Sequence, residues 1–65
     1  MRVFVSVYRK EKHLTQEELA FLANVSRETI CRLEQGKYHP SYRLVNNISR
    51  ILDTPINKLF EVQEE

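Results

Sequence analysis

The stretch "SRETICRLEQGK", residues 26–37, interleaves Arg27, Glu28 and Arg32 with Ile30 and Leu33 at helical spacing. On a helix, Ser26, Arg27, Glu28, Cys31, Arg32 and Gln35 then face one way while Ile30 and Leu33 face the other. The chemistry on offer is recognition by hydrogen bonding. An Arg guanidinium is a planar fork of donors that fits paired acceptors, and a Glu carboxylate accepts. A solvated helix face would use the same residue types. Enzyme chemistry is disfavoured, because no acid/base dyad, nucleophile constellation, phosphate loop or metal cluster accompanies the stretch. His13 and His39 are too few and too far apart for a metal site, and Cys31 reads as a small filler beside the outward face. No cofactor or metal is expected.

The elements that must hold this face are well punctuated. "LTQEEL" places Thr15 as an N-cap with Glu18 three residues on, a capping box that opens a helix ending at Asn24, a residue that tolerates left-handed backbone. Ser26 caps the next helix, which Gly36 ends. "KYHPS" is a loop, and Ser41 caps a third helix with a buried stripe of Leu44, Val45, Ile48, Ile51 and Leu52. Thr54 is expected to cap a last short helix, with Pro55 at its first position and Ile56, Leu59 and Phe60 as its apolar side. At the start, residues 1–4 suit a short strand leading into a helix that runs to about Lys12. "MRVFV" and "FEVQ" are the candidates for a terminal β-pair.

Sixty-five residues make one small domain, read as 1–65, with no room for a separate sensing or catalytic domain. The single cysteine excludes an internal disulfide and fits a reducing cytosol. No apolar run spans a bilayer and no signal peptide opens the chain, so a cytoplasmic protein without a membrane partner is expected. The net charge of +1 hides an asymmetry. Residues 1–50 carry nine Lys/Arg against five Glu, whereas 51–65 carry one Lys against four acidic residues. A basic body with an acidic tail can still present a positive face.

Residues 16–35, "QEELAFLANVSRETICRLEQ", combine these features into two short helices joined by a tight turn. Ala20 is small where the helices must cross closely, and Val25, Ile30 and Leu33 anchor the second helix. Together with "LTQEELA", "VSRETI", "LEQGKYHPS" and "INKLF", this segment resembles the helix-turn-helix of phage repressors and Cro proteins, often called the XRE family. The resemblance covers nearly the whole chain. One departure is Asn24, where the family most often has Gly.

The resemblance implies an all-α, five-helix, lambda-repressor-like domain that binds double-stranded DNA. Its second motif helix would lie in the major groove, with Ser26, Arg27, Glu28 and Arg32 toward base edges and Thr29 near the backbone. Arg can pair with guanine O6/N7, and Glu can accept from cytosine N4 or repel phosphate at wrong sites. Gln16 matches a phosphate-gripping position, and Lys37, Tyr38, His39 and Arg43 would approach the sugar-phosphate backbone. Arg9 and Glu34 match a pair that ties the first helix to the recognition helix, a structural role.

A homodimer on a near-palindromic operator, acting as a repressor, is the expectation. Ile56, Leu59, Phe60 and Val62 within the 55–65 segment are the candidate dimer interface. Phe21 and Leu22 are expected to pack against the N-terminal segment, with a partner interface as the alternative. Two further readings use the same fold: an antitoxin or other protein-interaction module, and a helix-turn-helix that no longer binds DNA.

Overall fold

Three hydroxyl side chains start three of the helices. Thr15 accepts from the Glu18 amide while the Glu18 carboxylate accepts from the Thr15 amide, so the expected capping box is closed at both ends. It opens a helix at Gln16–Ala23 that ends on Asn24 in left-handed backbone, φ 61°. Ser26 accepts from the Thr29 amide and opens Arg27–Glu34. Ser41 accepts from the Leu44 amide and opens Tyr42–Leu52. Each cap satisfies an amide that helix geometry would leave without a partner.

The computed structural model describes residues 2–61. In chain order they form β1 (Arg2–Val3), α1 (Val5–Glu11), α2 (Gln16–Ala23), α3 (Arg27–Glu34), α4 (Tyr42–Leu52), α5 (Ile56–Leu59) and β2 (Phe60–Glu61). The strands pair antiparallel, Arg2 opposite Glu61 and Val3 opposite Phe60, and the Phe4 amide adds a hydrogen bond to the Leu59 carbonyl at 2.8 Å. The expected terminal β-pair is therefore present, reduced to two residues a side. Helix α1 has no side-chain cap. Its start is held instead by that pairing and by Val5, which is wholly buried.

The core collects the apolar side of every helix: Val5, Leu19, Ala20, Ala23, Ile30, Leu33, Leu44, Ile48, Leu52, Leu59 and Phe60. Helix α2 packs on both α3 and α4 through Leu19, Ala20 and Ala23. Alanine at two of these positions lets backbones approach where a longer side chain would hold them apart.

Three sequence expectations change. Thr54 does not cap α5: its hydroxyl donates to the Leu52 carbonyl at 2.9 Å, and Pro55 takes the N-cap place with no side-chain bond. The hydroxyl thus closes the end of α4 rather than opening α5. Leu59 and Phe60 are not offered to a second copy, because they lie 0% and 9% exposed inside the chain's own core. Ile56 is half-buried against that core, and Val62 lies outside the described residues. Phe21 and Leu22 do not pack on the N-terminal segment. Val5 turns that segment into the core from elsewhere, leaving Phe21 83% and Leu22 53% exposed beside Leu14, Glu17 and Glu18.

Candidate nucleic-acid interface

Helix α3 divides along its length as its spacing requires. Ile30 and Leu33 are fully buried, so the helix cannot rotate without emptying the core. Arg27, Glu28, Arg32 and the C-cap Gln35 are exposed on the opposite side, with Cys31 half-buried between them. Ser26 stands at the head of this face, its hydroxyl holding the Thr29 amide and lying 2.9 Å from the Thr29 hydroxyl. Both hydroxyls are thereby oriented by the helix start.

The exposed charges are loosely tied. Arg32 Nη2 reaches Glu28 Oε2 at 3.4 Å across one helical turn, with the two side chains 61% and 74% exposed. An exposed pair of this spacing contributes about 0.3–0.5 kcal/mol. Either residue can therefore leave its partner for a better one at little cost.

Arg9 and Glu34 are tied very differently. Arg9 Nε donates to Glu34 Oε2 at 2.7 Å and Nη2 to Oε1 at 3.2 Å, with the side chains only 10% and 7% exposed. Arg9 Nη1 also donates to the Leu14 carbonyl at 2.8 Å. This bidentate contact fastens α1 to the end of α3, as expected of the pair. Gln16 is drawn into it: its Nε2 donates to Glu34 Oε1 at 2.9 Å, and its Oε1 accepts from Arg27 Nη1 at 3.2 Å. The sequence reading gave Gln16 an outward role alone. Its inward partner lies 18 residues away, on a different helix, beyond the reach of any local pattern.

Beyond α3 the chain folds back on itself. Gly36 adopts φ 75°, a left-handed conformation open to glycine, and the Lys37 amide donates to the Arg32 carbonyl at 3.0 Å. Lys37, Tyr38 and His39 are consequently exposed next to the end of the polar face of α3. Arg43 and Tyr42, exposed in the first turn of α4, follow the same loop. Tyr42, 77% exposed, joins the candidate surface although the sequence reading passed over it. The signal was the Ser41 cap, which puts residue 42 at a helix start next to Arg43.

Two helices joined at a left-handed residue, the second carrying an exposed polar row, form the core of a motif that a family model described as helix-turn-helix matches over residues 7–59. The chain belongs to the helix-turn-helix family of transcription regulators. This is a regulatory family rather than one of enzymes.

Relatives extend the match to the chain's full length. It is 43% identical to an HTH-type transcriptional regulator of Archaeoglobus fulgidus over 65 residues, covering all of this chain and 92% of that protein. Among solved structures, it matches the N-terminal DNA-binding domain of SinR from Bacillus subtilis with a TM-score of 0.78 and 29% identity, covering 94% of this chain and 90% of that one. It matches the restriction-modification controller protein C.AhdI from Aeromonas hydrophila with the same TM-score and 30% identity, covering 86% and 85%.

Within this helix-turn-helix protein, α2 and α3 are the two motif helices and Asn24 is their turn. The Asn24 amide donates to the Ala20 and Phe21 carbonyls, and the Val25 amide to Ala20, so the left-handed turn closes without glycine. No helix among the described residues is long and apolar enough to cross a membrane.

Proposed function

We propose that this helix-turn-helix protein is a sequence-specific, double-stranded-DNA-binding repressor of the cytoplasm that acts as a homodimer on a near-palindromic operator. The observation that carries the reading is the two-sided α3: Ile30 and Leu33 lock one side into the core, while Arg27, Glu28 and Arg32 stand exposed on the other. Arg27 and Arg32 supply bidentate donors for guanine, and Glu28 an acceptor for cytosine N4. Lys37, Tyr38, His39, Tyr42 and Arg43 supply the sequence-independent contacts to phosphate and sugar.

Size supports the dimer. Eight helical residues span about 12 Å, enough for only a few base pairs. The domain measures 35 Å along its longest axis and carries one such helix. Successive major-groove faces recur about 34 Å apart, so a two-fold pair of domains presents two reading helices at the natural spacing. Repression then follows from occupying the operator.

Selection of bound sequences from a random DNA pool tests this reading. A motif of two inverted half-sites is the expected result, and no enrichment overturns it. Arg32→Ala should lose discrimination at one or two base positions by about 1–3 kcal/mol. Lys37→Ala should weaken all sequences alike and flatten the salt dependence of binding by about one phosphate contact. A motif unchanged by Arg32→Ala would remove α3 from the groove.

A second reading, a protein-interaction module of the antitoxin kind, draws on Phe21, whose ring is almost wholly in solvent beside Leu22 and Leu14. Monomers and folded molecules seen by light scattering only after a partner is added would favour it over a self-sufficient dimer.

A further inference from the structure

We propose that the acidic C-terminal segment, residues 61–65, docks on a second copy of the chain, in the groove between α4 and the turn that joins α2 to α3. The inference rests on the homodimer reading and deepens it. It names what ties the copies together when Leu59 and Phe60 lie in the core.

One wall of the groove is the end of α2 with its turn, and the other is α4. Two adjoining hollows of about 220 and 320 Å³ share Ala23, Asn24 and Asn47, with Arg50 lining the first and Arg43 the second. Arg43, Asn47 and Arg50 fall at i, i+4 and i+7 on α4, which makes them one stripe about 10 Å long. Both arginines are exposed, and among the described residues their guanidinium groups form no ion pair. The side-chain hydrogen bonds of α4 and its cap belong to Ser41 and Ser49, so among the described residues the Asn47 amide keeps its donors and its acceptor. No carboxylate among them lines either hollow. An anionic strand that also offers an amide fits such a surface.

The chain carries one. Residues 51–65 hold four acidic side chains against Lys58, a surplus that the candidate DNA surface does not use. Phe60 is extended, φ −132° and ψ 127°, and if that form continues, residues 61, 63 and 65 line one side of a strand. They are Glu61, Gln63 and Glu65: acid, amide, acid against base, amide, base. Over these residues a strand advances about 13 Å, and the long side chains at both ends absorb the difference from the stripe. Glu61 meets Arg2 at 3.7 Å with both side chains more than half exposed, a pair of small energy that is readily exchanged.

The chain's own segment is the poorer occupant. Among the described residues, none from β1, α5 or β2 lines either hollow. Ser49 Oγ donates to the Thr54 carbonyl at 2.6 Å, so the chain leaves α4 on the Ser49 side, about 160° around the helix from Asn47. The root of the segment is then fixed against β1, Arg2 opposite Glu61, and the four residues beyond it reach at most about 14 Å. A second copy has no such tether. In a two-fold pair each copy gives its segment to the other's groove, and the second contact forms within a pair that the first has already joined.

Sedimentation equilibrium of the full chain tests the contact, with Arg50 as its probe because Arg43 also belongs to the candidate DNA surface. Arg50→Glu is expected to raise the dissociation constant of the homodimer by about tenfold, and raising the salt to about 0.5 M should weaken the wild type similarly. Adding Glu61→Arg or Glu65→Arg to Arg50→Glu, whichever carboxylate faces that position, should recover most of the loss. NMR of the wild type should show the Asn47 side-chain amide signals moving on dilution as the segment leaves. A homodimer indifferent to Arg50→Glu and to salt, or one that neither second substitution restores, overturns the proposal and leaves the homodimer reading standing. Asn47 signals that stay fixed on dilution to monomer but move in Glu65→Gln would assign the groove to the chain's own segment and equally overturn it. A wild type that sediments as a monomer at every concentration removes the homodimer reading itself.

Discussion

Glu34→Ala is expected to lower the melting temperature far more than Glu17→Ala. Removing Glu34 leaves the Arg9 guanidinium, only 8% exposed, without its anion. Breaking one side of such a pair costs about 3–5 kcal/mol, whereas an exposed charge contributes about 0–1 kcal/mol. For a domain of this length the whole stability is about 3–10 kcal/mol, so the variant should lose a large fraction of it. Glu17 is exposed on α2 and forms no ion pair among the described residues. Urea and thermal unfolding of both variants measure the difference. Equal midpoints would show that the pair contributes no more than a surface charge.

Leu59→Ala carries the second large effect, and it separates two roles for the C-terminal apolar residues. With Leu59 fully buried against the chain's own core, truncation should cost about 2–5 kcal/mol through lost burial and the cavity left behind. The molecules that remain folded should associate as the wild type does, since the side chain reaches no outside surface. Sedimentation of the folded fraction, alongside denaturant unfolding, tests both statements. An unchanged midpoint with weakened association would return Leu59 to an interface between copies.

Much of this architecture was legible in the sequence because its signals are local. Thr15 with Glu18, Ser26 and Ser41 announce helix starts three residues from the amides they hold, and each forms the bond its spacing implies. Asn24 announces a turn through its tolerance of left-handed backbone. What escaped depends on where a face lands after folding. Periodicity marked Leu59 and Phe60 as apolar, but a four-residue helix has too little pattern to say whether its stripe meets the core or another chain. Phe21 and Leu22 fall away from the side of α2 that Leu19, Ala20 and Ala23 bury, so only an element packed on the outer side of α2 could have covered them, and none among the described residues does. Thr54 failed as a cap because Pro55, with ψ 147°, is still extended, and the hydroxyl found a carbonyl of the preceding helix first. At the candidate site, the outward row on α3 followed from helical spacing. The inward partner of Gln16 did not, since it joins residues 18 apart.

The two-residue β-pair has a consequence for the order in which the chain can fold. Val3 meets Phe60, and Phe4 donates to Leu59, so these contacts close a loop spanning nearly the whole domain. Closing so long a loop is entropically unfavourable until the helices between have already shortened the distance. The ends should therefore join late, after α2, α3 and α4 have assembled. During synthesis, α1 cannot complete its seat until residue 60 has been made, and the Arg9 that rides on α1 waits with it. The clasp at the termini leaves the Arg9 tie on the end of α3 among the last contacts a nascent chain can make.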